Sequence, residues 1–137
     1  MSLVLDSSVA LGWCFEDQHT PAIELVLQRV VDAGALVPQV WPLEVLNGLA
    51  TAERRGRLDT STRERLEGFL RELPVALDAD TALDAWTRTV PLAHRFRLTV
   101  YAAAYLELAQ RQQLPLASMD ESLRQAATEL GLTVLGR

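Results

Sequence analysis

The chain has 137 residues, 49% of them hydrophobic, which is enough for one domain with a buried core over residues 1–137. Thirteen arginines and no lysine face 18 acids, and the resulting net charge of −5 argues weakly against broad, non-specific binding to polyanions. No apolar run approaches the roughly 20 residues of a membrane span and no secretory signal is visible, so we expect a cytoplasmic protein without a membrane partner.

The first stretch of the chain predicts a buried strand followed by a helix. Residues 3–5 are apolar without alternation, as in a parallel strand that is covered on both faces. Asp6 then falls at the carboxyl end of that strand, the edge at which open α/β sheets bind ligands. Alternatively, Asp6 only caps the helix, together with Ser7 or Ser8. The single cysteine, Cys14, excludes an internal disulfide and is interpreted as a small buried hydrophobe.

Two helices and a strand follow. Between Pro21 and Gly34 the apolar residues recur at helical spacing and form one stripe: Ile23, Val26, Leu27, Val30 and Val31. Residues 35–38 read as a second strand. A helix then runs from residues 41–42 to Gly56, with Glu44 in its first turn and Asn47 one turn later on the same face. Its packing side is predicted to consist of Leu43, Leu46, Leu49 and Ala50.

The middle of the chain predicts a helix, a strand and a second, interrupted helix. A capping box formed by Ser61 and Glu64 is expected to start the first helix, whose apolar stripe comprises Leu66, Phe69, Leu70 and Leu73. Residues 75–77, closed by Asp78, form a third strand. Asp80 or Thr81 caps the next helix, which Pro91 should bend or interrupt. Its inward side chains are predicted to be Leu83, Trp86 and Val90.

The last third of the chain completes the alternation of strands and helices. Thr99 is expected to cap a helix over residues 100–112, and a strand over residues 114–118 leads to Asp120. A helix over residues 121–130 and a strand over residues 132–135 end the chain. This alternation predicts a three-layer α/β/α sandwich with a central, mostly parallel sheet and right-handed crossovers.

Three acids are expected at one edge of this sheet: Asp6, Glu44 and Asp120. Each alone could be an acid that interacts favourably with a helix dipole. Together they form the ligand set that Mg²⁺ and Mn²⁺ prefer, and clustered carboxylates without arginines imply a cation. A metal ion held in this way can activate a water molecule and neutralise charge on a phosphate under attack.

Four segments of the chain resemble PIN-domain ribonucleases, specifically the VapC-like toxins of bacterial type II toxin–antitoxin systems. The segments are VLDSS at residues 4–8, PLEVLN at 42–47, LTVYAAAYLELA at 98–109 and LASMD at 116–120. Their order and spacing cover essentially the whole chain. The resemblance implies the α/β/α fold, Mg²⁺- or Mn²⁺-dependent cleavage of RNA (often transfer or ribosomal RNA), inhibition by a cognate antitoxin and, in many relatives, a homodimer.

The resemblance also implies roles for individual residues. The metal-binding acids of the family match Asp6, Glu44 and Asp120. Ser8 matches a small hydroxyl residue two positions after the first acid, and Ser118 matches a serine or threonine two positions before the last. Asn47 matches a polar residue that helps to order the site. Simple capping explains Ser8 and Ser118 equally well, and an exposed polar position is the alternative for Asn47.

The chain departs from the family pattern at Ala102, where VapC-like chains usually carry an aspartate. Position 102 is the third residue after the Thr99 cap, where a carboxylate would suit a capping box and could face the crevice. Glu107 points about 140° away around the helix and cannot easily replace this acid, and nothing supports Glu121 as a substitute. Ala102 is either a natural variant or an engineered replacement that makes a toxic protein tolerable, and the surrounding residues favour the second. We expect weakened metal binding and reduced activity.

Other interpretations stay open. Arg54, Arg55 and Arg57 either oppose the dipole at a helix end or guide an RNA backbone. Trp41 either packs beneath the helix of Glu44 or stacks on a base. The first rival function is an inactive PIN-fold module that binds antitoxin or RNA. The second is a phosphotransfer or haloacid-dehalogenase-like protein with Asp6 as nucleophile, which Ser8 and the absence of lysine disfavour.

Overall fold

A computed structural model describes residues 2–137. Five short strands are present: β1 (Val4–Leu5), β2 (Ala35–Val37), β3 (Val75–Leu77), β4 (Leu116–Ala117) and β5 (Val134–Leu135). They form one sheet in the order β3-β2-β1-β4-β5, and all four pairings are parallel. The predicted parallel sheet is confirmed. None of the strands is longer than the strand predicted from the sequence, and most are shorter.

The helices lie on both faces of the sheet, as the sandwich prediction requires. They are α1 (Ser7–Cys14), α2 (Pro21–Ala33), α3 (Trp41–Arg54), α4 (Thr60–Glu72), α5 (Thr81–Asp84), α6 (Val90–Phe96), α7 (Val100–Gln112) and α8 (Glu121–Glu129). In the first layer α1 contacts α2 and α3, and α3 contacts α4. In the second layer α7 contacts α6 and α8. In the described part of the chain, no helix is both long and apolar enough to cross a membrane.

The strand order places a topological switch point beside β1. Val4 pairs with Leu36 of β2 on one side and with Leu116 of β4 on the other. The chain leaves β1 toward β2 and β3 and returns to β4 on the opposite side, so the connections diverge at the carboxyl ends of β1 and β4. In open α/β sheets the ligand crevice lies at such a point. Asp6 is fixed there, because its backbone N–H donates to the Ala117 carbonyl at 2.9 Å.

The core is formed by the central strands and by α7. Both residues of β1 and both residues of β4 are fully buried, which explains their lack of alternation. In α7 every residue from 103 to 109 is buried, so this helix is surrounded by protein through its middle turns. In α2 the predicted stripe packs inward through Ile23, Val26 and Val30, whereas Val31 is exposed.

The predicted packing sides of two helices are largely wrong, although Leu49 of α3 is buried as predicted. On α3 the buried residues are Trp41, Val45, Leu49 and Ala52, and the Leu43 and Leu46 side chains face solvent. Leu83 and Trp86 were expected inward, but they are 74% and 85% exposed. Helical spacing identifies which residues share a face, and it does not identify which face meets the core.

One prediction about a helix boundary differs from the structure. Asp59 caps α4 by accepting a hydrogen bond from the Thr62 N–H at 2.7 Å, so the predicted capping box of Ser61 and Glu64 is wrong. Pro91 lies in the first turn of α6, and the α-helical pattern is interrupted directly before it, in agreement with the predicted interruption. A π-helical turn over Ala85–Thr89 precedes it, and widened turns of this kind accommodate an irregular hydrogen-bond ladder.

Candidate functional site

Asp6 follows β1 and is almost completely buried, with 6% of its surface exposed. Two hydroxyl groups donate to the same carboxylate oxygen, Oδ2: Ser8 at 2.6 Å and Ser118 at 2.8 Å. Asp6 is the N-cap residue of α1, yet its side chain makes no capping hydrogen bond. The interpretation of Asp6 as a simple helix cap is therefore wrong.

The two serines are oriented by backbone N–H groups of the loop after β4. Met119 N–H donates to the Ser8 hydroxyl at 2.9 Å, and Asp120 N–H donates to the Ser118 hydroxyl at 3.0 Å. Because each oxygen already accepts a bond, each hydroxyl proton is directed at Asp6. Neither serine side chain caps a helix. Both connect the β4–α8 loop to the first acid, across more than 100 residues of sequence.

Glu44 lies in the first turn of α3 and is partly buried. Its Oε1 atom accepts a hydrogen bond of 2.5 Å from the Tyr105 hydroxyl, which belongs to α7 on the other face of the sheet. Burial raises the pKa of Glu44, the Tyr105 hydrogen bond lowers it in part, and the negative charge of Asp6 raises it again. Glu44 and Asp6 are therefore close enough to repel each other.

Asp120 is the exposed member of the three acids. It follows β4 and caps α8, because its Oδ1 atom accepts a hydrogen bond of 3.1 Å from Leu123 N–H. For this residue the capping interpretation and the site interpretation are compatible. Burial raises the pKa of Asp6, the Ser8 and Ser118 hydroxyls offset part of that rise, and the charge of Asp120 adds to it.

Among residues 2–137 the three acids have no cationic partner. None of the ion pairs found between residues 2 and 137 includes Asp6, Glu44 or Asp120. Hard oxygen donors with uncompensated negative charge fit a divalent cation. Across the same residues, however, no three acidic, histidine or cysteine side chains already form a complete metal-binding group. The oxygen donors of the site are thus of the kind that a divalent cation prefers. The negative charge of Asp6 interacts with that of Glu44 and with that of Asp120.

Ala102 lies in the first turn of α7, where its N–H donates to the Thr99 hydroxyl at 3.0 Å. Neither alternative acid has taken its place. Glu107 is buried and bound by Arg111, and Glu121 forms an ion pair with Arg137 at the surface. The helix keeps the predicted cap and lacks the carboxylate.

Several other predicted residues make no hydrogen bond or ion pair with the acids among residues 2–137. Asn47 is exposed, and its side chain makes no hydrogen bond within the described residues. Trp41 is buried, which favours packing over base stacking, and its indole N–H has no partner in the range 2–137. Arg57 pairs with Asp17 and lies over the Phe15 ring, so it is engaged within the protein. For Arg54 and Arg55, both exposed, the dipole and RNA interpretations remain open.

Two concave surfaces border these residues. A cleft of about 600 Å³ adjoins the acids and is lined by Ser8, Phe15, Met119 and Asp120, among others. A second, largely apolar groove of about 630 Å³ lies between α3, α4 and β3. It includes Leu70 and Leu73 of the stripe for which the sequence left core packing, a dimer contact and partner binding as alternatives.

The sequence identified the acids, but it missed Tyr105. The only signal was its position one turn after Ala102, which places both residues on the same side of α7. Its contact with Glu44 joins residues 61 positions apart and two different layers, and no periodicity predicts such a pairing.

Comparisons with known proteins agree with this architecture. The family model described as "PIN domain" matches residues 3–129. PAE2754 from Pyrobaculum aerophilum is structurally similar, with a TM-score of 0.71 and 19% identity over 98% of this chain and 90% of that one. FitAcB from Neisseria gonorrhoeae gives a TM-score of 0.66 and 15% identity over 96% of this chain and 95% of that one. No curated protein matches the sequence significantly.

Proposed function

The chain belongs to the PIN-domain family, and from that premise we propose that it is a Mg²⁺- or Mn²⁺-dependent endoribonuclease of the VapC-like toxin type. PIN domains are typically metal-dependent nucleases. The finer assignment to RNA cleavage, with transfer or ribosomal RNA as substrate, rests on the four sequence segments given above. Its activity is reduced, because Ala102 stands where those toxins carry an aspartate.

One observation carries the proposal: Asp6 is buried at the switch point with two other acids close by, and no cationic side chain of residues 2–137 balances them. Burying a carboxylate without a partner is costly, and proteins usually avoid it. The Ser8 and Ser118 hydroxyls stabilise only part of this charge. A bound divalent cation would compensate the remainder, so the arrangement has a physical reason in metal binding.

The residues divide the work as follows. Asp6, Glu44 and Asp120 would hold the cation, which when bound supplies a water molecule of lowered pKa and neutralises charge on the phosphate. Ser8 and Ser118 orient Asp6 through their hydrogen bonds. The cleft lined by Ser8 and Asp120 would give an RNA strand access to this side of the site. Asn47 would act only at the rim of the site, because it is exposed.

Further parts of the proposal concern partners and organisation. We propose a cognate antitoxin as the inhibitory partner, an assembly of two copies, a cytoplasmic location and a single domain over residues 1–137. The apolar groove between α3, α4 and β3 supports a protein partner, since grooves of this kind bury apolar side chains. One continuous hydrophobic cluster supports a single domain.

The second candidate function is a catalytically inactive PIN-fold module that binds antitoxin or RNA. Two observations favour it: the missing carboxylate at Ala102, and the lack of a complete metal-binding group within residues 2–137. Both candidates predict binding to partners. They differ in metal affinity and in cleavage.

The test is isothermal titration of Mn²⁺ into the chain, into Ala102→Asp and into Ala102→Asn, followed by cleavage assays on transfer and ribosomal RNA. Ala102→Asn is the matched control, because an asparagine side chain has nearly the same shape as that of aspartate and carries no charge. We expect Ala102→Asp to bind Mn²⁺ at least about tenfold more tightly than either other form and to cleave RNA faster.

Each outcome decides between the alternatives. Equal rates of RNA cleavage by the chain and by Ala102→Asp would overturn the proposal that the chain has reduced activity. Metal binding by Ala102→Asp without cleavage of either RNA would favour the inactive module. If no form binds Mn²⁺, the acids are not a metal site and the nuclease proposal fails.

A further inference from the structure

Tyr105 is the largest of the completely buried side chains. It lies on α7, and its neighbours Ala104 and Leu106 are buried as well. Because no part of Tyr105 is exposed, protein surrounds its ring on all sides. A tyrosine ring has few rotatable bonds, and close packing removes most of its remaining freedom. The hydroxyl group is consequently a fixed point inside the molecule.

The Tyr105 hydroxyl contacts Glu44, which has the longest side chain of the three acids. Glu44 has a longer side chain than an aspartate and therefore more torsions to order. Burial is the main reason why the pKa of Glu44 is raised, and the negative charge of Asp6 adds a smaller, repulsive contribution. The Tyr105 hydroxyl opposes both effects, because its 2.5 Å hydrogen bond holds the Oε1 atom from the opposite layer. Within residues 2–137, no cationic side chain performs this function.

We propose that Tyr105 is a positioning residue of the acid site, whose hydroxyl keeps the Glu44 carboxylate beside Asp6 in the orientation that binds a divalent cation. This inference rests on the proposed function. Tyr105 itself touches neither metal nor substrate and acts only through Glu44. Helix α7 therefore serves the site at two positions one turn apart, through the residue at position 102 and through the hydroxyl that orients the acid of α3.

The second tyrosine of the chain provides the control. Tyr101 lies on the same helix but is 62% exposed, and it has no hydrogen bond to the acids. Tyr105→Phe and Tyr101→Phe each remove one hydroxyl and retain the ring, and only the first removes the contact with Glu44. Because Tyr105 is buried and Tyr101 is exposed, thermal unfolding is needed to detect any difference in stability. Both substitutions are made in the full chain and in its Ala102→Asp form, and Mn²⁺ affinity and thermal unfolding are measured for each.

We expect Tyr105→Phe to weaken Mn²⁺ binding about tenfold, as for other groups that orient a metal ligand, while Tyr101→Phe changes it less than about twofold. In a Glu44→Ala background, Tyr105→Phe should cause no further loss, because the residue through which the hydroxyl acts is absent. A general structural role would instead lower the melting temperature and weaken binding equally in both backgrounds.

The outcomes separate this inference from the function on which it rests. If Ala102→Asp binds Mn²⁺ and Tyr105→Phe leaves that affinity unchanged, the positioning role is overturned and the metal site stands. If the loss on Tyr105→Phe persists in the Glu44→Ala background, the hydroxyl does not act through Glu44 and the inference is wrong. If neither the chain nor its Ala102→Asp form binds Mn²⁺, both proposals fail.

Discussion

Burial in the folded chain disfavours the charged form of the Asp6 carboxyl. Burial raises its pKa, and the hydroxyls of Ser8 and Ser118 do not fully offset that rise. The folded chain therefore binds the proton more tightly than the unfolded chain. Ionisation of the buried Asp6 carboxyl therefore lowers the free energy of unfolding. This loss is absent below the ordinary aspartate pKa, grows as the pH rises, and is complete above the raised pKa of the folded state.

The first residue-scale prediction follows from this sign. Asp6→Asn should increase the free energy of unfolding at about pH 7, and the gain should vanish toward about pH 3, where the carboxyl is protonated in both states. Urea denaturation at both pH values measures the difference. Asp32→Asn, at an exposed position of α2, is the control and should change little. A loss of stability at neutral pH in Asp6→Asn would contradict the prediction.

Cys14 gives a second prediction at this scale. Burial raises the pKa of its thiol to about 11, and its Sγ atom lies 3.5 Å from the Ala10 carbonyl. At about pH 8 only about one thiol in a thousand is ionised, and the thiolate is the reactive form. We expect a chromogenic disulfide reagent to react slowly with the folded chain and rapidly in urea. Equal rates in the two states would show that Cys14 is accessible and ionised.

At the scale of single elements, helix α4 begins at a residue that the capping-box pattern did not predict. The Asp59 carboxylate accepts hydrogen bonds at the first turn, and these bonds to Thr62 lower its pKa. The unfolded chain has the higher pKa. The stabilisation is therefore present above the ordinary aspartate pKa and is lost as the pH falls through the lowered value.

Replacement of this cap is the element-scale prediction. Asp59→Ala should lower the melting temperature by several degrees at neutral pH, whereas Ser61→Ala should have almost no effect. The difference between the two variants should diminish in acid. Differential scanning calorimetry measures it, and a larger effect of Ser61→Ala would restore the original capping-box interpretation.

Local patterns predicted the elements better than their contacts. The buried strand before Asp6 and the Thr99 cap of α7 could be recognised because they depend on neighbouring residues. The exposure of Trp86 could not be predicted, since spacing alone does not indicate which side of a helix meets the core. The Tyr105–Glu44 hydrogen bond could not be predicted from the sequence either, because it depends on how two layers pack across the sheet.

At the scale of the whole molecule, Arg111 joins the end of α7 to the far edge of the sheet. It donates to the buried carboxylates of Asp78, after β3, and of Glu107, and it also forms an ion pair with Asp84. Burial alone would raise the pKa of Asp78, but the hydrogen bonds from Arg111 and Thr81 outweigh it and leave the pKa lowered. This network fixes the helix that bears Ala102 and Tyr105.

Loss of this arginine should destabilise the whole fold. Arg111→Gln leaves two buried carboxylates without a counter-charge, and we expect it to cost about 3 kcal/mol or more of unfolding free energy. Arg137→Gln removes an exposed ion pair with Glu121 and should cost less than about 1 kcal/mol. Urea denaturation compares the two. Similar small losses would mean that Arg111 is not needed to hold α7 against β3.

The unbalanced charge around Asp6 also has an evolutionary meaning. Since an uncompensated buried acid weakens the fold, replacing it with a neutral residue is favoured by folding, and selection for foldability does not preserve it. Only selection on what the acids do can retain them. A lineage released from that selection would be expected to lose its carboxylates before it loses its core. On our proposal that position 102 belongs to the acid site, Ala102 in an otherwise intact helix fits such a history or a deliberate replacement.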